Sequence, residues 1–187
     1  LPQDEWGVDV VVAGSQKAWM APPGLAFISF NARAWKAYET ARCPRFYFDL
    51  GEARRYGVRN QTPATPNLPA LYALHVSLEG MVQEGPETIQ RRHQEIGDYC
   101  RRGVEAVGAH LYAAEGYRSN TVTALTLPEG VDTGRVLEEL RTRYGIVCAT
   151  GRDPSVEMVR IGHMGYVSEQ DLDEVFDAMR HILEEMM

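Results

Sequence analysis

The sequence predicts an α/β fold on three observations. Short runs rich in β-branched and aromatic residues recur at Val10–Val12, Leu25–Phe30, Thr121–Leu127 and Met158–Ile161, the composition of strands. Between them lie longer stretches whose apolar residues return every three to four positions, the period of a helix packed on one face. The chain is 187 residues long and 44% hydrophobic, which is enough apolar side chain for a packed core.

Taken in order, Val8 and Val10 to Val12 form a first strand that Gly14 breaks, and Leu25 to Phe30 form a second. Asn31 is placed to cap a helix over 32–41, because its side chain accepts from the first free backbone amides. The aromatic cluster Phe46-Tyr47-Phe48 beside Arg42 and Arg45 suits packing or a subunit contact, and an irregular connection is expected up to residue 66. Helices are expected over 67–84 and 86–107, separated by Gly85-Pro86, where glycine permits a positive φ and proline fits a first helical turn. The charged residues of the second, Glu87, Arg91, Arg92, Glu95, Asp98, Arg101 and Arg102, read as a solvated face. After the Thr121–Leu127 strand, Pro128 to Gly130 turn the chain and Asp132 caps a helix through Arg143. Ile146–Cys148 and Met158–Ile161 are expected to be strands. Ser168 and Asp171 open a last helix whose stripe is Leu172, Val175, Phe176, Met179, Ile182 and Leu183.

Composition narrows the function. A net charge of −7 with no long basic block argues against nucleic acid or an anionic membrane as the main partner. No apolar run is long enough to span a bilayer, and the first residues carry neither a basic region nor an apolar signal core, so nothing indicates export. Cys43, Cys100 and Cys148 are odd in number and widely spaced, which suits reduced structural thiols in a cytoplasmic chain. His75, His93, His110, His163 and His181 show no metal-ligand spacing and read as surface or packing residues, so no metal site is expected.

Three places carry chemistry. Lys17 follows Ser15-Gln16 at the end of the first strand, ahead of the stiff turn Pro22-Pro23-Gly24. It is either an ordinary surface lysine at a strand end or, if the loop desolvates its ammonium and lowers its pKa, a nucleophile toward aldehydes. The segment Asn60-Gln61-Thr62-Pro63-Ala64-Thr65-Pro66 sets hydroxyls and amides before a helix, which suits a phosphate or a simple capping loop. Arg160, within Met158-Val159-Arg160-Ile161-Gly162, is either an edge-strand arginine turned to solvent or a planar fork for a carboxylate. Arg152, in the preceding Gly151-Arg152-Asp153-Pro154 loop, reads as a surface residue.

Ser15-Gln16-Lys17, followed by Pro22-Pro23-Gly24 and a strand, resembles the cofactor-lysine segment of class V aminotransferases, and most closely that of the serine-pyruvate and alanine-glyoxylate aminotransferase group. Cysteine desulfurases have a histidine before the lysine, and phosphoserine aminotransferases a different small-residue context. The resemblance implies a fold-type I fold in which Lys17 carries pyridoxal 5'-phosphate as a Schiff base, with Gln16 hydrogen-bonding near the cofactor. It implies that Thr65, and less securely Thr62, reaches across a homodimer to the partner's cofactor phosphate, and that Arg160 binds the substrate α-carboxylate. Trp19 departs from the smaller residue often found there, and packing is its expected role.

By the same resemblance, 1–66 is the C-terminal part of a large, mostly parallel-sheet cofactor domain, 67–107 are linking helices, with 86–107 as a bridge, and 108–187 are a small C-terminal α/β domain. The likeness covers essentially the whole sequence but matches about the C-terminal half of family members. In the family the other half holds the phosphate loop, the aromatic residue stacked on the cofactor and the aspartate paired with its ring nitrogen. The sequence is thus expected to be a fragment or one piece of a divided chain. The implied activity moves an amino group from serine or alanine to glyoxylate or pyruvate, with Lys17 as general acid and base. The alternatives are a lyase, a ureidoglycine or aminophosphonate transaminase, or a non-catalytic subunit retaining the fold, since some members of the group have carried a hydrogenase-subunit label.

Overall fold

The computed structural model describes residues 2–151 and 156–186. Its contacts divide the chain into two compact units, Leu1–Glu79 and Gly80–Met187.

In the first unit, β1 (Val10–Gly14) and β2 (Ala26–Phe30) pair antiparallel, with Val12 opposite Ile28 and Gly14 opposite Ala26. Gly14 is therefore the last paired residue of the strand that it was expected to break. Helix α1 (Ala32–Thr40) starts at Asn31, whose Oδ1 accepts from the Ala34 amide at 3.0 Å. The expected irregular stretch contains a helix, α2 (Leu50–Gly57). Asp49 caps it, accepting from Gly51 N at 2.8 Å, and Glu52 supplies a first-turn carboxylate. Helix α3 (Leu68–Glu84) follows the Thr62–Thr65 segment, and Asn67 Oδ1 accepts from Ala70 N at 3.3 Å.

The second unit holds the main core. Helix α4 (Pro86–Ala106) begins after Gly85, whose φ of 83° favours glycine. Strands β3 (His110–Leu111), β4 (Val122–Thr126), β5 (Ala149–Thr150) and β6 (Val159–Gly162) form an antiparallel sheet in the order β3-β4-β6-β5. Asp132 caps α5 (Thr133–Arg143) through a 3.0 Å bond from Arg135 N. A strand was expected at Ile146–Cys148 and is not there: Gly145, at φ 69°, folds the chain back so that the Ile146 amide donates to Leu140 O, and pairing begins only at Ala149. Helix α6 (Glu169–Met186) opens with a reciprocal cap, Ser168 N donating to Asp171 Oδ2 at 2.7 Å and Asp171 N to Ser168 Oγ at 3.2 Å.

One core gathers Ile96, Cys100 and Val104 of α4, Leu125, Val159 and Ile161 of the sheet, Val136 and Leu140 of α5, and Leu172, Phe176, Met179, Ile182 and Leu183 of α6. Each such side chain fully withdrawn from water contributes about 1.5–3 kcal/mol, so the stripe on α6 is what fixes that helix. Helix α4, expected within a linking segment, packs into this core. Arg101 makes a helix-spaced pair with Asp98 at 2.6 Å, as such a face predicts, but Arg92 and Arg101 are half-buried and also reach beyond the helix: Arg92 forms an ion pair with Glu84 at 2.6 Å and donates to Gly165 O, and Arg101 donates to Ser119 O. Arg152 lies outside the described residues. No described helix is long and apolar enough to cross a membrane.

Candidate functional site

Lys17 stands in the connection between β1 and β2. The connection is closed at its base by Ser15, a buried residue: its amide donates to Leu25 O at 3.1 Å, its Oγ donates to Pro22 O at 2.6 Å, and the same oxygen accepts from Leu25 N at 3.2 Å. Ala21 N donates to Ser15 O at 3.0 Å. Inside this ring, Met20 N donates to Lys17 O at 2.9 Å, closing a turn over 17–20, with Met20 at φ 55°. Trp19 packs its ring on Phe27, centroids 4.9 Å apart, and its carbonyl accepts from Ser77 Oγ of α3 at 2.5 Å.

Lys17 is exposed on this ordered turn. Burial in the loop therefore does not supply the desolvation that the local composition suggested; what the fold provides is a fixed position and access. Gln16 is exposed beside it and folds back over Gly14, where a Cβ would come within 2.8 Å of Gln16 Oε1. An open groove of about 470 Å³ runs along Gly14, Gln16, Gly24 and Leu25.

Thr62 and Thr65 share one loop and line a second cavity, of about 580 Å³, with Arg45, Tyr47, Glu52 and Tyr56. They are not equivalent. Both are exposed, but Thr62 Oγ1 donates to Ala64 O at 2.7 Å, within its own loop. The carboxylate chemistry here is shaped by Asp49, held below the usual range by the hydrogen bond from Tyr38 and then by the Gly51 and Glu52 amides.

Arg160 belongs to the second unit. It is not on an edge: β6 is flanked on both sides, with Arg160 opposite Ala124 and Ala149. Its neighbours Val159 and Ile161 point into the core, so strand alternation puts Arg160 on the other face, where its Nε donates to Thr150 O at 2.8 Å. That bond restrains the guanidinium at one of its nitrogens. The structure thus places Gln16 with Lys17 on one turn, Thr62 with Thr65 on one loop, and Arg160 on the sheet of the other unit.

Two residues escaped the sequence reading. Ser15 was visible only as a neighbour of Gln16, and Ser77 carried no signal at all, since a serine inside an apolar helix looks like filler. Two of the histidines are buried and bonded: His93 Nδ1 bonds Ile89 O at 2.7 Å while its Nε2 accepts from Gly165 N at 3.1 Å, and His163 Nε2 meets Thr123 Oγ1 at 2.9 Å; His75, His110 and His181 are exposed.

Residues 2–175 match the family described as Aminotransferase class-V. The chain belongs to the class V aminotransferases. This is a family of pyridoxal phosphate-dependent enzymes. The chain is 41% identical over its whole length to a protein named soluble hydrogenase, small subunit, from Synechococcus sp., and covers 48% of it. Over 89% of its length it is 39% identical to the L-aspartate–glyoxylate aminotransferase of Paracoccus denitrificans, covering 42% of that enzyme. Among solved structures, alanine–glyoxylate aminotransferase from Nostoc sp. superimposes with a TM-score of 0.91 at 28% identity, over 97% of this chain and 49% of that one. The chain thus spans about half the length of the curated relatives it matches.

The Lys17 turn fits the cofactor of the family. An aldehyde requires a primary amine that it can reach, and Lys17 offers one on a turn with defined hydrogen bonds beside an open groove.

Proposed function

We propose that the whole protein to which this chain contributes is an aminotransferase that moves an amino group from a small amino acid, serine or alanine, to glyoxylate or pyruvate. The observation that carries this reading is the exposed Lys17 on a turn anchored at both ends, in a chain whose relatives include glyoxylate aminotransferases. Pyridoxal phosphate, when bound, supplies the aldehyde and the electron sink for the bond broken at Cα. Lys17 Nζ would hold the cofactor and would move the Cα proton of the substrate as base and then acid. Gln16 hydrogen-bonds beside it. Arg160, its Nε held by Thr150 O, grips the α-carboxylate of the substrate. Thr65 completes a phosphate site in a second copy, with Thr62 in a supporting place because its hydroxyl is engaged within its own loop. Residues 1–66 are then a piece of the cofactor domain, 67–107 the linking helices and 108–187 the small domain, and the assembly is a homodimer. Free thiols at Cys43, Cys100 and Cys148 suit a cytoplasmic setting.

A second reading, a subunit that keeps the fold without turnover, is favoured by the relative named as a hydrogenase subunit. Lysine chemistry separates the two. The sequence has just two lysines, Lys17 and Lys36. Borohydride reduction of the whole protein incubated with pyridoxal phosphate is expected to leave a pyridoxyl group on the Lys17 peptide and not on the Lys36 peptide, and Lys17→Ala to abolish both label and transamination. A protein labelled equally at the two lysines, with no amino-group transfer, is not this enzyme. Arg160→Lys keeps the charge but loses the fork, so the KM for the amino acid is expected to rise on the order of 10- to 100-fold, as for one charged hydrogen bond.

A further inference from the structure

Ser77 lies inside α3, 8% exposed, where a serine hydroxyl ordinarily turns back to a carbonyl of its own helix or out to water. It does neither. Its Oγ donates to the carbonyl of Trp19, 58 residues away and two residues past Lys17. That carbonyl belongs to the peptide that enters Met20, which stands at φ 55°, a region that a side chain bearing a Cβ adopts only when its surroundings hold it there. Met20 N in turn closes the 17–20 turn on Lys17 O. The hydroxyl, the Trp19 peptide, the left-handed Met20 and the lysine carbonyl form one mechanical series.

We infer that Ser77 is a positioning residue for Lys17: by holding the Trp19–Met20 peptide it keeps Met20 left-handed and the lysine turn closed. This rests on the aminotransferase reading above for its purpose, though not for its geometry. Ser15 anchors the strand ends of the same connection at Pro22 and Leu25 and holds the Ala21 amide, Lys17 O holds the Met20 amide, and Ser77 holds the Trp19 carbonyl. The residue before α3 also lies against the far side of the connection: Asn67 Nδ2 is 2.6 Å from where a Cβ would stand on Gly24, itself at φ 134°. The lysine loop thus meets α3 at Trp19 and the residue preceding that helix at Gly24, and removing the Ser77 hydroxyl frees the end nearer the amine.

The test uses the whole protein and the Lys17 and Lys36 peptides as signal and internal reference. With pyridoxal phosphate titrated and trapped by borohydride, Ser77→Ala is expected to raise the half-saturating concentration for Lys17 labelling roughly fivefold, the effect of one ordinary hydrogen bond, with Lys36 labelling unchanged. Ser77→Thr, which keeps the hydroxyl, restores the wild-type value. Adding Met20→Gly to Ser77→Ala recovers most of the loss, because glycine adopts the left-handed conformation unaided. Val76→Ala, on the exposed side of the same helix, leaves the titration unmoved. In parallel, acetylation without cofactor reports the turn alone: Ser77→Ala is expected to raise the Lys17-to-Lys36 labelling ratio about twofold as the side chain is freed from a fixed turn. Unchanged Lys17 behaviour in both assays overturns the positioning role, as does an equal effect of Val76→Ala. Equal pyridoxyl labelling of the two lysines in the wild type instead overturns the aminotransferase reading, while the acetylation ratio still decides the role of Ser77.

Discussion

His163 is the clearest case of one residue coupling the fold to solution conditions. It is 1% exposed, its Nε2 meets Thr123, and its Nδ1 has no partner among the described residues. Burial is the main force pushing its pKa down, to about 4, with the positive charge of Arg101 second. The folded chain therefore keeps this imidazole neutral while the unfolded chain protonates it near 6.5. The stabilisation is complete above pH 6.5 and is lost as pH falls toward 4, because there the unfolded state binds the extra proton. Urea denaturation of the second unit should lose roughly 2–3 kcal/mol across that window, and His163→Gln should flatten the slope. Carboxylates lowered by their partners, among them Glu84 beside Arg92, lose their contributions at lower pH still, which separates the two effects. At this scale the sequence was least informative. Lys17 draws attention because a motif surrounds it, whereas Ser77 and His163 have hydrogen-bond partners 58 and 40 residues distant, which no local pattern reveals.

Between elements, α4 and α6 approach closely at Gly103. A Cβ on Gly103 would come within 2.1 Å of the Phe176 ring, which is buried and has nowhere to retreat. Alanine in a helix interior gains about 1 kcal/mol over glycine, but overpacking a core costs about 1–3 kcal/mol, so Gly103→Ala should lower stability in thermal denaturation despite its better helix propensity. The caps behave more simply. Asp49→Ala removes both the N-cap of α2 and the acceptor of the Tyr38 hydroxyl, and should cost about 1–2 kcal/mol, seen as a loss of helical ellipticity confined to the first unit. Caps also explain which elements the sequence disclosed. Asn31, Asp132 and Ser168 announced α1, α5 and α6 because each precedes a periodic apolar stripe. Asp49 announces α2 just as well, but Leu50–Gly57 has no buried residue, so no stripe drew attention to it. The misplaced strand at Ile146–Cys148 shows the converse: its alternation of half-buried and exposed residues is real, yet its first amide is consumed by Leu140 O, and a pattern without a hydrogen-bonding neighbour is not a strand.

Across the whole molecule, apolar burial is unevenly shared. The second unit encloses one continuous core, whereas in the first the buried apolar residues are Ala21, Ala34, Ala70 and Leu74 among those described. Hydrogen exchange should therefore find the amides around Val104, Leu125 and Met179 the slowest in the isolated chain, and those of β1 and β2 faster by orders of magnitude. Comparable protection in both units would contradict this ledger of burial. The first unit also displays Phe46, Tyr47 and Phe48 at 93%, 70% and 85% exposure. In a cell, three adjacent bare aromatic rings are the kind of surface that chaperones hold and proteases follow. The survival time of the chain after synthesis then depends on how soon those rings are covered, and alanine at all three positions should lengthen its half-life in a pulse-chase experiment even when the chain is made alone.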